Sequence, residues 1–270
     1  MTSLSMLGDW DLHWEVQGRA SGPPLLLLPP LGRSRGSWQA QVPALAKKFL
    51  LLLPDTRGTG ESSFSGDDYS IDRFAVDFLT LLDHLGVSTA HVAGWSMGAA
   101  VAQELALLAP DRVRSLTLLT PWVRTDDLMA QHFHQMLSAV EDDDSLVGVE
   151  TLTLELILST RALQGISDLP AAARDAVNQP GFPTPEALAG HIRSCLSHDT
   201  ESRLAGLSIP ALVVGGEEDR LMPPSHAVST ARVLSGSELN ILQGPSSSHA
   251  LPVEMAAQVN DLMGSFLERH

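Results

Sequence analysis

The residues best placed to do chemistry are Gly94-Trp95-Ser96-Met97-Gly98, a serine with a glycine two positions away on either side. The apolar run Ala90–Ala93 leads into it, and an Ala- and Leu-rich segment, Met97–Leu108, leaves it at once. That context reads as strand, sharp turn and helix. A turn this tight forces the serine into a strained backbone conformation, and side chains at Gly94 and Gly98 would collide with neighbouring chain. The Ser96 hydroxyl then stands clear of the sheet as a nucleophile. The Met97 N–H, in the first helical turn, points at a developing oxyanion with the helix dipole behind it.

A serine hydroxyl is a poor nucleophile at neutral pH and needs a base within hydrogen-bond reach. The chain offers ten histidines. His249 stands out because it follows the run Glu238–Leu242 and the Gly/Pro/Ser loop Gln243–Ser248, just before the final helical segment. In a parallel sheet, that loop opens on the same edge as Ser96. His13, His84, His91, His132, His134, His191, His198, His226 and His270 read as solvated or structural. A carboxylate must orient the base from a neighbouring strand end. Glu217, Glu218 and Asp219 compete in the loop after Ala211–Val214. Asp219 is the choice, at the loop tip ahead of Pro223-Pro224, with the two glutamates read as solvated. The order Ser, Asp, His fits this kind of sheet.

These groups need a frame to bring them together. Short apolar runs bounded by Gly or Pro (Leu25–Leu28, Phe49–Leu53, Ala90–Ala93, Ser115–Leu119, Ala211–Val214, Glu238–Leu242) alternate with segments of helical period. That alternation predicts an α/β fold, a mostly parallel central sheet with helices on both faces. Trp10–Gln17 reads as an antiparallel strand at the sheet edge. Ile71–Leu85 carries Ile71, Phe74, Ala75, Phe78, Leu81, Leu82 and Leu85 on one stripe, ended by Gly86. Leu251–Leu267 supplies a last amphipathic helix. Residues 121–200 break the rhythm with helical periodicity and no strand run. They read as a helical cap inserted into a core of residues 1–120 and 201–270, rather than as an independent domain; a long surface crossover is the other reading.

Composition narrows the partners. Of 270 residues, 44% are hydrophobic and 18% charged, which suits a globular chain with a sizeable core. Seventeen basic against 32 acidic residues give a net charge of −15. Such a surface repels nucleic acid and anionic membranes, leaving a small-molecule substrate and a monomer or homodimer as the expectation. Met1–Val16 has neither a basic start nor a long apolar core, so no signal peptide is expected. The apolar stretches Pro23–Leu31 and Phe49–Pro54 are too short to span a bilayer. The single cysteine, Cys195, excludes an internal disulfide framework and fits a reducing, cytoplasmic setting, where it reads as a small filler. No cluster has metal-ligand spacing, and neither metal nor organic cofactor is expected.

The stretches LLLLPPLGRS (25–34), LLLPDTRGTGESS (51–63), HVAGWSMGAAVAQELALLAPDRVRSLTLL (91–119), IPALVVGGEEDRLMPP (209–224) and SHALPVE (248–254) resemble the α/β-hydrolase superfamily. Within it they look most like oxoadipate enol-lactonases and small carboxylesterases, as does SHDTESRLAGLSIP (197–210). The resemblance spans nearly the whole chain, and is far more specific for fold and triad than for substrate. It implies that Asp55–Ser62 is a turn supporting the active-site edge, with Asp55 and Arg57 structural. It also implies that the first oxyanion amide is that of Leu31, partnered by Met97. Two departures stand out: Pro29-Pro30 where most relatives have His-Gly, and Ser248 where relatives often have glycine.

The chemistry so implied is hydrolysis of a small ester or lactone through a covalent acyl-enzyme. Trp95, Trp38, Trp122 and Met129 are candidates to line an apolar pocket, each equally readable as core. Two rivals stay open: C–C hydrolysis, thioester cleavage or a cyclisation by the same triad, and a ligand-binding protein with vestigial chemistry.

Overall fold

The computed structural model describes residues 2–6, 10–64 and 66–270. Strands form at the expected segments, β2 (Asp11–Gly18), β3 (Pro24–Leu28), β4 (Leu50–Pro54), β5 (Ala90–Trp95), β6 (Val113–Leu119), β7 (Ala211–Gly216) and β8 (Glu238–Leu242), and at one that was not expected, β1 (Thr2–Met6). They make one eight-stranded sheet in the order β1-β2-β4-β3-β5-β6-β7-β8. The β1–β2 and β2–β4 pairings are antiparallel and all the others parallel. The antiparallel strand expected at the sheet edge is therefore interior, because β1 pairs along its outer side. The signal-peptide reading rests partly on residues 1 and 7–9, which lie outside the described residues.

The helices are α1 (Val42–Leu45), α2 (Ile71–His84), α3 (Met97–Leu108), α4 (Asp127–Asp142), α5 (Val147–Ile157), α6 (Thr160–Gln164), α7 (Leu169–Val177), α8 (Pro185–Leu196), α9 (Glu201–Leu204), α10 (Pro224–Val233), α11 (Leu251–Glu254) and α12 (Ala256–Leu267). Successive side chains of a strand point to opposite faces, so a strand buried on both sides must be apolar throughout. In β3, Leu25 and Leu27 pack with Leu51, Leu53 and Phe266 of α12, whereas Leu26 and Leu28 pack with Phe74 and Phe78 of α2. The α2 stripe is buried from Ile71 to Leu82, and Gly86 at φ 66° follows the helix end. The single final helix expected over Leu251–Leu267 is broken at Met255 into α11 and α12. No helix among the described residues is long and apolar enough to cross a membrane.

Helices α4 to α8 all lie between β6 and β7 in the chain. Side chains of Asp126, Ser159, Asp168 and Thr184 accept hydrogen bonds at the N-termini of α4, α6, α7 and α8. Each such cap contributes about 1 kcal/mol and sets where its helix starts. The chain leaves and rejoins the core through one antiparallel pinch: the Thr125 N–H donates to His198 O (3.1 Å) and the Thr200 N–H to Val123 O (2.7 Å).

Arg57 and Asp55, in the turn after β4, hold the core's other loops. The Arg57 guanidinium makes two bonds to Asp77 of α2, at 2.8 and 2.7 Å, both side chains buried. Asp55, with no exposed surface, accepts from the Arg35 N–H (2.7 Å), the Glu61 N–H (3.0 Å) and the Arg35 guanidinium.

Burial also pushes the imidazoles of His91, His191 and His198 down to about 4 each. They are neutral in the fold at pH values where an unfolded histidine, near 6.5, is already taking up a proton. Stability from these three is therefore complete above about pH 6.5 and is lost as the pH falls toward 4, by about 1.4 kcal/mol per pH unit for each. Urea midpoints measured from pH 7 to 4.5 should fall steeply. In a His91→Gln variant that pH slope should be smaller by roughly a third of the histidine contribution.

Candidate active site

Ser96 sits between the last residue of β5 and the first of α3, at φ 55° and ψ −121°. This is a costly conformation for a residue with a Cβ, and its surroundings over-determine it. A Cβ on Gly94 would come within 2.1 Å of Gly98 O, and one on Gly98 within 2.2 Å of Leu28 O. Only glycine lets strand and helix close on each other and on β3 here. The Ser96 N–H is fixed to Leu119 O at 2.9 Å. The turn lies beside a switch in strand order. From β3 the chain runs outward to β4, then crosses back to β5 and proceeds the other way, so the carboxyl ends of β3 and β5 frame a crevice.

Three side chains meet at this edge. His249 Nε2 is 2.9 Å from Ser96 Oγ, and His249 Nδ1 is 2.8 Å from Asp219 Oδ2. The other Asp219 oxygen accepts from the N–H groups of Leu221 (3.0 Å) and Met222 (2.8 Å). An ionised carboxylate can only accept, so the proton of a neutral His249 belongs on Nδ1, leaving Nε2 to accept from the serine hydroxyl. All three residues are buried, whereas Glu217 and Glu218 are exposed.

The loops that carry acid and base are locked to each other and to their surroundings. The Glu218 N–H donates to Ser247 O (3.0 Å), a crossing so close that a Cβ on Gly216 would lie 2.1 Å from the same oxygen. The Trp95 indole N–H holds His249 O at 3.1 Å. Ser248, the departure from glycine, donates through its hydroxyl to Glu254 at 2.9 Å, and Glu254 also accepts from the Ser159 N–H (2.9 Å).

The Leu31 and Met97 amides have no acceptor among the described residues. Met97 opens α3, while Leu31 lies in a turn closed by Arg33 N–H to Pro30 O, with Gly32 at φ 64°. The Gly32 N–H donates to His191 Nδ1 (3.4 Å), and the other ring nitrogen of His191 donates to Arg57 O (2.9 Å). Its neutrality, enforced by burial, is what lets one ring do both. The loop with two prolines is thus steadied from α8.

Above Ser96 lies a cavity of about 50 Å³. Its walls come from the sheet edge (Pro30, Leu31, Arg33, Trp95, Leu221, His249) and from residues 121–200 (Phe133, Met136, Thr153, Ile157, Cys195). This is room for a few water molecules.

The sequence profile described as the alpha/beta hydrolase fold matches residues 23–245. The chain belongs to the alpha/beta hydrolase family. A protein of Azorhizobium caulinodans provisionally named carbamate hydrolase RutD is 33% identical over 216 residues, 80% of each chain. A hydrolase from Pseudomonas aeruginosa PA01 superposes with a TM-score of 0.89 at 28% identity, over 98% of both chains. The enol-lactonase of Burkholderia xenovorans LB400 superposes with a TM-score of 0.88 over 98% of this chain and all of its own, at 24% identity, a likeness of fold.

Within this hydrolase, Trp95 and Leu31 line the cavity, but three residues expected there do not. Trp38 is fully buried, among Leu25, Leu27 and Leu51. Trp122 is turned behind the wall, its ring against His198 (centroids 5.1 Å apart) and its N–H on Thr125 Oγ1 at 3.0 Å. Met129 shares a helical stripe with Phe133 and Met136 but lies a turn short of the opening, in the core. The wall from Met136, Thr153 and Ile157 is not legible in the sequence because only the packing of α4 and α5 on the core selects those faces, and Leu221 joins it from the loop after β7. Cys195 is part of that wall, and burial pushes its thiol up, away from reactivity.

A Gly98→Ala substitution tests how tightly the elbow is closed. Its methyl must displace Leu28 or Pro29 backbone, lying 2.2 and 2.8 Å from their oxygens. Unfolding in urea should show a loss of about 1–3 kcal/mol.

Proposed function

We propose that this hydrolase cleaves a small, largely apolar ester or lactone by acyl transfer to water. The observation that carries the reading is the unbroken hydrogen-bonded chain from Asp219 through His249 to Ser96, opening into a confined apolar cavity. Ser96 Oγ attacks the carbonyl carbon as His249 Nε2 takes its proton. Asp219 keeps the imidazole in the correct tautomer and steadies the imidazolium. The Leu31 and Met97 amides receive the negative charge on the carbonyl oxygen, each donor contributing about 3–4 kcal/mol. Collapse breaks the carbon–oxygen bond to the leaving group, which takes the proton from His249. Water, deprotonated by the same imidazole, then splits the acyl-enzyme and returns Ser96 to its hydroxyl form.

The roles ask nothing of a metal or organic cofactor. The cavity supports a short acyl group, and the buried thiol of Cys195 supports a reducing, cytoplasmic setting. Carbamate cleavage is a second reading, favoured by the name of the Azorhizobium relative. It uses the same steps with a nitrogen-substituted carbonyl. The apolar walls favour the ester.

Labelling with a fluorophosphonate and mapping the adduct by mass spectrometry should place it on Ser96, with none on a Ser96→Ala variant. An unlabelled Ser96 would sink the proposal and favour a ligand-binding protein. On a series of nitrophenyl esters and lactones, kcat/KM should fall as the acyl chain outgrows the cavity. Asp219→Asn should lower kcat by about 10⁴-fold through the wrong tautomer. Labelling without turnover of any ester, lactone or carbamate would move the assignment to C–C, thioester or cyclisation chemistry.

A further inference from the structure

Among the described residues, one charged side chain lines the cavity, Arg33, next to the turn that presents the Leu31 amide. Its guanidinium Nη2 donates to Glu150 Oε1 at 2.6 Å and lies over the Phe182 ring, with its central carbon 5.5 Å from the ring centroid. Glu150 is only 3% exposed, and it belongs to α5. Thr153 and Ile157, three and seven residues further along that helix, are wall residues, so Glu150 continues the same helical face one turn on.

An arginine in an apolar, confined site is a ready receptor for a carboxylate, through paired hydrogen bonds in a low-dielectric surrounding. Here its charge is already matched by Glu150, which takes one of its five donors. A substrate tail ending in a carboxylate would either set a second anion beside the buried Glu150 carboxylate or displace it and leave it without a counter-ion, and both are unfavourable. It would also enter a region where Arg33 and Glu150 cancel and Asp219 remains as the uncompensated negative charge. An uncharged tail meets neither obstacle.

We propose that the Arg33–Glu150 pair is the specificity determinant of this cavity, selecting uncharged acyl chains and rejecting chains that end in a carboxylate. The inference rests on the hydrolase reading of Ser96, and the test separates the two. Two fluorophosphonates of equal length are compared, one ending in a methyl group and one in a carboxylate, by their second-order rates of Ser96 labelling. The wild-type protein should favour the methyl-ended probe at least about tenfold, the scale of one uncompensated charge. In Glu150→Gln, Arg33 is released and the ratio should shift about tenfold or more toward the carboxylate. The double variant Arg33→Gln/Glu150→Gln should return to favouring the methyl-ended probe. A purely structural pair would change both rates together, leaving the ratio fixed, and that result overturns the proposal. So does a wild-type protein that labels both probes equally or favours the carboxylate, a result that needs no variant to fold. Absence of labelling by either probe on any form would instead be the failure of the hydrolase reading itself.

Discussion

Ser96 occupies a backbone conformation that no unconstrained serine would keep, and the site is built around the means of keeping it there. Strand β5 ends and α3 begins within a single residue, so the chain must reverse where it also carries its nucleophilic hydroxyl. Two glycines permit this by having nothing to place where Gly98 O and Leu28 O lie. The same closure sets the Met97 amide at the positive end of a helix and brings β3's following loop alongside. Strain here is the consequence of asking one turn to present both a nucleophile and an anion-binding amide.

The segment between β6 and β7 takes part in this arrangement at three loops of the site. His191 of α8 bonds the Gly32 amide, and Glu150 of α5 bonds Arg33, both in the loop after β3. The acid's neighbour Arg220 donates to the carbonyls of Glu155 and Leu158, and the Ala250 N–H beside the base donates to Ile157 O at 3.0 Å. Helices α4 to α8 therefore do more than cover the cavity. They fix the loops that carry the acid, the base and the candidate oxyanion amide, which couples cavity size to the geometry of the reacting groups. The Pro29-Pro30 departure fits this scheme. Prolines restrict the loop from within, and a neutral buried imidazole restrains it from above.

Charge is partitioned in the same spirit. The chain carries a net −15, yet the cavity is walled mostly by apolar side chains and its cation Arg33 is paired with Glu150. Acidity is a property of the outer surface, where it governs solubility and long-range repulsion. The site's electrostatics come instead from a few buried groups whose partners are fully specified.

Features encoded over a few neighbouring residues were legible along the chain. Alternating apolar runs give the order of β2 to β8, and Gly94-Trp95-Ser96-Met97-Gly98 marks the elbow, because the steric demand of a turn falls on adjacent positions. The N-caps Asp126, Ser159, Asp168 and Thr184 were equally local signals for the helices of residues 121–200. Ser, Thr and Asp are common, so they mark a helix start only when the amphipathic face that follows has a known partner. Tertiary structure alone decided which side chains face the cavity. Trp38 and Trp95 are the same residue type and share one buried cluster, yet Trp38 is enclosed with no exposed surface while Trp95 lines the cavity and holds His249 O. It also decided which structural role His191 has, that of holding the loop that bears Leu31. These outcomes depend on the direction a side chain takes when distant segments pack, and hydrophobicity fixes that a residue is buried without fixing against what.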